Sequence, residues 1–274
     1  MKKFNTDILI IGAGPVGLFA VFELGLLDMK CHLIDNLDKI GGQCSELYPD
    51  KPIYDIPSRV RISAQELVDD LMNQCKPFNP TFHLNQNAEE LSKNGDGGWT
   101  IKTSSNNEIT AKCIVIAAGA GSFTPRKPPV KNIEEFEGKS VFYAIKNKQV
   151  FANKNVLIVG GGDSAIDWVN ELSKIAKVTL VHRRKDFRAS ANSVQKMLNL
   201  EKENKIKFYL GQIKSLEGKG GYLQAVYITN DNKEEKIYTD FLIPFFGLKP
   251  ELGSINNWNL KLKDNLILVD TEKF

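Results

Sequence analysis

The feature that most constrains this chain is a pattern used twice: a short apolar run, a glycine-rich turn, then a helix-forming run. In the first copy Asp7–Ile11 leads into Gly12-Ala13-Gly14-Pro15-Val16-Gly17, a GxGxxG spacing. In the second, Asn155–Val159 leads into Gly160-Gly161-Gly162-Asp163-Ser164-Ala165, a GxGxxA spacing. A continuous apolar run of this length fits a strand buried on both faces, and parallel strands need a crossover, usually helical, between them. Further short runs follow each copy, at Lys30–Ile34 after the first helix (Pro15–Leu27) and Lys177–Val181 after the second (Ser164–Ile175). The alternation predicts an α/β protein in which one strand–turn–helix–strand unit occurs twice.

Composition narrows the partners. The chain has 274 residues, 42 % of them hydrophobic, with 36 basic against 33 acidic residues and a net charge of +3. That balance, without a long basic run, argues against nucleic acid as a ligand. Cys31, Cys44, Cys75 and Cys113 are too scattered for a zinc knuckle and only three histidines exist, so no structural metal is expected. Scattered cysteines also fit a reducing, cytoplasmic setting. The run Ile8–Phe22 after Lys2 and Lys3 imitates a signal peptide, but the glycines break it and Glu23 ends it short of a membrane span. The expectation is a cytoplasmic protein with no membrane partner.

The two turns differ in what closes the following strand. Asp35 lies 23 residues after Gly12, where an acid accepts hydrogen bonds from an adenosine ribose. In the turn itself Gly12 permits the bend, Gly14 lets backbone approach a pyrophosphate, and Gly17 lets helix and strand pack closely. Gly41-Gly42-Gln43-Cys44 follows and allows another close approach. The second unit carries His182-Arg183-Arg184, with Arg188 beyond, in place of an acid. Guanidinium groups there suit a 2′-phosphate, which a carboxylate would repel. The pair of sites points to FAD in the first unit and NADPH in the second. A flavin accepts a hydride and releases electrons singly, which a nicotinamide does not readily do.

These residues resemble the two-dinucleotide-binding flavoprotein reductases, and within them the ferredoxin–NADP reductases of the thioredoxin-reductase-like type. The stretches that carry the resemblance are GAGPVGLF from Gly12, GGQCSELYP from Gly41, IYDIP from Ile53, AAGAGSFTPRK from Ala117, VGGGDSAIDW from Val159 and HRRKDFRA from His182. The fold it implies is α/β with two Rossmann-like domains, the NADPH domain inserted into the FAD domain. The expected boundaries are 1–119 and 244–274 for the FAD domain and 120–243 for the NADPH domain. It further implies that Gln43 contacts the FAD and Tyr48 stacks on the isoalloxazine ring. Ala88 would lie near the adenine, and Phe123 near the flavin. For NADPH it implies Gly160, Gly162, Asp163, Ser164, His182, Arg183, Arg184 and Arg188. NADPH would reduce the flavin, which would pass single electrons to a ferredoxin or flavodoxin. No side chain is needed as general acid or base, because the work is mainly the positioning of two rings. A homodimer is implied, as are hinges near Gly119 and Gly247.

Absences separate relatives. The stretch Tyr143–Lys148 reads YAIKNK, with no CxxC, and the partner position for Cys44 is Pro49. Neither dithiol relay can operate, because exchange needs a second sulfur to resolve the mixed disulfide. The family continues past the equivalent of Phe274 with a Gly-Asp segment at the flavin, a helix and a tail. Here only Gly95-Asp96 and Gly162-Asp163 offer that dipeptide. The expectation is therefore a C-terminally truncated member or a product of a longer reading frame. Two other readings stay open at this stage, a reductase for a quinone or disulfide protein and a nucleotide-binding remnant without flavin.

Overall fold

The computed structural model describes residues 1–95, 97–230, 233–264 and 266–272, with the Phe123 side chain left out. It divides into two compact units, Met1–Thr124 with Lys249–Phe274, and Pro125–Leu248.

In the first unit β1 (Lys2–Ile11) leads through the glycine turn into α1 (Pro15–Gly25), then β2 (Cys31–Ile34) and a short α2 (Gln43–Leu47). The small hairpin β3 (Pro52–Ile53) and β4 (Ile62–Ser63) precedes α3 (Ala64–Cys75), and β5 (Thr81–His83), β6 (Ala88–Lys93), β7 (Trp99–Thr103) and β8 (Asn107–Ile116) follow. The six-stranded sheet has the order β5-β2-β1-β8-β7-β6. Strands β5, β2, β1 and β8 are parallel, while β6–β7–β8 form an antiparallel meander. Leu18, Val21, Val68, Leu71 and Cys75 from α1 and α3 pack one face. Leu252, Ile255 and Trp258 close the other, where the Trp258 indole N–H donates to the Glu89 carbonyl at 3.0 Å. The helix α3 opens on a capping box: the Glu66 N–H donates to Ser63 Oγ and the Ser63 N–H to Glu66 Oε2.

After β9 (Ser122–Pro125) the second unit repeats the opening motif. It contains β10 (Asn155–Val159), α4 (Asp163–Leu172), β11 (Lys177–His182), α5 (Ala191–Lys202) and β12 (Ile206–Leu210). The strands β13 (Gln212–Lys219), β14 (Tyr222–Asn230) and β15 (Lys233–Tyr238) form an antiparallel sheet, and β16 (Phe241–Pro244) returns to the parallel one. The parallel order is β12-β11-β10-β16. Leu157, Val159, Val181 and Leu242 from this sheet pack against Val226, Ile228 and Ile237 of the antiparallel one. Finally β17 (Leu248–Glu251) pairs with β9, and β18 (Leu262–Lys263) with β19 (Leu266–Ile267).

The expected elements occur, with shifted ends. The first helix stops at Gly25 rather than Leu27, because Asp28 turns left-handed at φ 58°. Strand β8 begins at the polar Asn107, its start being paired between β1 and β7. Of the Gly95-Asp96 dipeptide, Asp96 lies outside the described residues.

Candidate functional site

Parallel pairing brings the carboxyl ends of β1, β2 and β8 together. Ile11 pairs with Ile34 on one side and Ile116 on the other, so Gly12, Asp35 and Ala117 leave the sheet at the same edge. Ligands of open α/β sheets bind at such an edge. Gly12 has a φ of 108°, and a Cβ on it would lie 2.4 Å from the Ala117 carbonyl oxygen. A Cβ on Gly17 would lie 2.0 Å from the Gly12 carbonyl, so the close helix–strand packing expected of it is real.

Asp35 is buried, and both its carboxylate oxygens are engaged. The Ala13 N–H donates to Oδ2 at 2.7 Å and the Leu37 N–H to Oδ1 at 2.9 Å. The Gly41 N–H donates to the Ala13 carbonyl at 2.9 Å, which fixes the second glycine pair against the first turn. A cleft of about 440 Å³ opens above this edge. Gly12, Gly14, Pro15, Asp35, Gln43, Tyr48 and Ala88 all line it, while Gly17 is packed beneath. The Tyr48 hydroxyl lies 3.5 Å from Gln43 Oε1, and burial raises its pKa, with Cys44 adding to the shift. Burial also pushes the Cys44 thiol up, against the pull of Lys51. All four cysteines are free. The backbone of Phe123 runs in β9, and its side chain lies outside the described part.

Sequence reasoning missed part of this lining. Gln86 and Asn87 sit between β5 and β6, and Leu252-Gly253-Ser254 approach from the returning segment. Gly253, left-handed at φ 56°, is the one signal in the sequence that marks a turn there. A cleft lined by bare glycine backbone, with a carboxylate at the strand end, fits an adenine dinucleotide.

The second unit builds a different edge. Gly162 is the N-cap of α4, and a Cβ on it would meet nothing within 4 Å, so the helix start is open. The His182 ring lies over Gly161, 2.3 Å from where a Cβ would be, and stacks on Phe187 with centroids 5.3 Å apart. The Arg188 N–H donates to the Gly161 carbonyl at 2.7 Å. Arg183, Arg184 and Arg188 are exposed around His182. Burial lowers the His182 pKa; the Asp186 carbonyl opposes this, and the three arginine charges add to it. Ser164 is exposed in the first turn of α4, whereas the Asp163 carboxylate turns aside to accept the Ser190 N–H at 2.9 Å. Three exposed guanidiniums beside an open helix start fit a nucleotide carrying an extra phosphate.

Two dinucleotide-type units, one nested in the chain of the other and differing in the charge at their strand ends, define a flavoprotein oxidoreductase of the two-nucleotide class. Residues 6–273 match the pyridine nucleotide-disulphide oxidoreductase family. The chain belongs to it, and groups there with the ferredoxin–NADP reductases. It is similar to the ferredoxin–NADP reductase of Parvibaculum lavamentivorans, 56 % identical over 275 residues, covering 100 % of this chain and 80 % of that one. The corresponding protein of Rickettsia canadensis is 54 % identical, covering 99 % of this chain and 81 % of that one. The fold is shared with the thioredoxin reductases of Lactococcus lactis (TM-score 0.83, 24 % identity) and T. acidophilum (TM-score 0.84, 22 % identity), each alignment covering 97 % of this chain and 85 % of the other. No helix among the described residues is long and apolar enough to cross a membrane.

Proposed function

We propose that the chain carries electrons from NADPH through FAD to a ferredoxin or flavodoxin. The observation that carries this reading is the asymmetry of the two strand ends, buried Asp35 in one unit and exposed Arg183, Arg184 and Arg188 in the other. FAD, when bound, supplies the conversion of a hydride into single electrons.

The first unit would hold FAD. Gly12, Gly14 and Pro15 would face its pyrophosphate and Asp35 its ribose, because a carboxylate offers about four lone-pair sites and two of them are free after Ala13 and Leu37. Ala88 would border the adenine, Gln43 and Tyr48 the ring system, and Phe123 would lie near it. Cys44 has no resolving partner, so electrons leave for an external acceptor. The second unit, expected over 120–243, would hold NADPH at Gly160, Gly162 and Ser164, with Arg183, Arg184 and Arg188 on the 2′-phosphate and His182 beside them. A cytoplasmic location and a homodimer complete the reading.

Anaerobic stopped-flow reduction of the FAD-reconstituted chain tests it. NADPH should bleach the flavin band, and replacing Arg183, Arg184 and Arg188 by alanine should raise the KM for NADPH far more than that for NADH. A chain that takes up FAD but is reduced equally by both nucleotides would sink the NADPH assignment. Turnover with a quinone and none with ferredoxin or flavodoxin would shift the reading to another acceptor.

A further inference from the structure

An acid in the first turn of a dinucleotide-binding helix is a puzzle, because a carboxylate facing the open helix start would repel the pyrophosphate. Asp163 occupies that position, and its contact resolves the puzzle. Its Oδ1 accepts the Ser190 N–H at 2.9 Å. Ser190 closes the loop that begins after His182 and carries Arg183, Arg184 and Arg188, and it is also the N-cap of α5, where its Oγ accepts the Ser193 N–H. The near end of the loop is pinned by His182 over Gly161, and the Arg188 N–H, two residues before Ser190, donates to the Gly161 carbonyl at 2.7 Å. Phe187 stacks on His182 between these points at an interplanar angle of 27°.

We propose that Asp163 is a positioning residue for the selection of NADPH over NADH, acting by clamping the arginine loop to the start of α4 through Ser190. This rests on the NADPH reading of the second unit. The guanidiniums end long, exposed side chains, and fixing the backbone that bears them lowers the ordering cost of gripping a 2′-phosphate. A nucleotide without that phosphate makes no use of the loop. The two consequences of removing Asp163 therefore have opposite signs. Loss of its charge favours every nucleotide anion, the more highly charged 2′-phosphate forms most, whereas loss of the clamp penalises only those with a 2′-phosphate.

Titration calorimetry of the full chain with 2′,5′-ADP and with 5′-ADP separates them without any flavin turnover. Wild type should prefer 2′,5′-ADP. In Asp163→Ala that preference should fall about tenfold, the size of one charge-assisted hydrogen bond, while 5′-ADP binds at least as well as before. Asp163→Asn keeps an acceptor oxygen toward Ser190 without the charge, and should retain the preference within about threefold. Equal losses for both nucleotides, no loss in Asp163→Ala, or the same loss in Asp163→Asn would each overturn the clamp. Absence of any wild-type preference would overturn the NADPH reading beneath it, and the clamp with it. Should Asp163→Ala fail to fold, Ser190→Pro removes the N–H at a φ of −56° that proline accepts, and Ser190→Ala removes only the Oγ cap. The same fall in preference is then expected in Ser190→Pro and not in Ser190→Ala; equal behaviour of the two would overturn the proposal.

Discussion

Asp35 and Ala13 are joined directly, the Ala13 N–H donating to Asp35 Oδ2 at 2.7 Å in the interior of the first unit. The acid that closes the second strand therefore shapes the glycine turn as well as offering lone pairs to a ribose. Replacing Asp35 by alanine leaves the N–H groups of Ala13 and Leu37 without their acceptor. We expect the first unit to lose about 2 kcal/mol of stability, since a buried donor stripped of its partner costs about 1–3 kcal/mol. Urea unfolding and the flavin-to-protein absorbance ratio both report it. Unchanged stability with full flavin content would show that the two bonds carry no weight.

The two glycine turns should respond differently to a single methyl group. In Gly12→Ala the new Cβ meets the Ala117 carbonyl at 2.4 Å on a backbone with φ 108°, so strain and overlap act together. A loss of about 3 kcal/mol or more is expected, at the upper end of point-mutant effects. In Gly162→Ala the methyl enters open space at a φ of −96°. Stability should then change by less than about 1 kcal/mol, while NADPH binding weakens because the methyl stands at the helix start. Thermal unfolding paired with nucleotide titration checks both. Equal destabilisation would contradict the packing described for the two turns.

Much of this was legible because glycine turns are punctuation with a physical cause. Asn155–Val159 is a strand over its expected residues, and Gly12, Asp35 and Ala117 meet because parallel register makes neighbouring strands end together. What the sequence withheld was partnership. Nothing in the order of residues says that Asp35 accepts the Ala13 N–H, or that Asp163 turns away from the helix start to Ser190. The sheet β13–β15 was not anticipated, although Tyr222–Asn230 buries mainly alternate residues. Its neighbours β13 and β15 carry exposed Lys214, Lys219, Lys233, Glu234 and Glu235, which dilute the apolar signal. Gln86 and Asn87 reach the cleft from a polar loop with no periodicity to mark it.

Tyr48 offers a test of ring against hydroxyl. Its hydroxyl makes a long 3.5 Å contact to Gln43, whereas its half-buried ring lines the cleft. Tyr48→Phe should therefore hold FAD as wild type does. Tyr48→Ala should weaken FAD binding about tenfold or more, as expected when an aromatic contact surface is removed. Flavin fluorescence titration reads both. A tenfold loss in Tyr48→Phe would move the role to the hydroxyl.

The last prediction concerns acid. The chain has three histidines, and all three are held below their ordinary pKa. Burial is the largest cause in each; His32 adds to the shift of His83, whose Nε2 lies 3.0 Å from His32 Nδ1, and Phe4 packs on both rings. Each imidazole thus takes up its proton at a lower pH in the fold than in the unfolded chain, where it does so near pH 6.5. The unfolded state then binds more protons, so stability is fully present above about pH 6.5 and is lost as the pH falls below it. The lowered carboxylates Asp7, Glu66, Glu137 and Glu217 act in the same direction, but only from their own ordinary range near pH 4 downward. The two windows are therefore separable. Urea midpoints measured from pH 8 to pH 5 should be flat at first and then decline, and His32→Gln with His83→Gln should flatten the decline of the first unit. Stability that rises between pH 6.5 and pH 5 would reverse the sign of the argument, because it would require imidazoles that gain rather than lose their charge on folding.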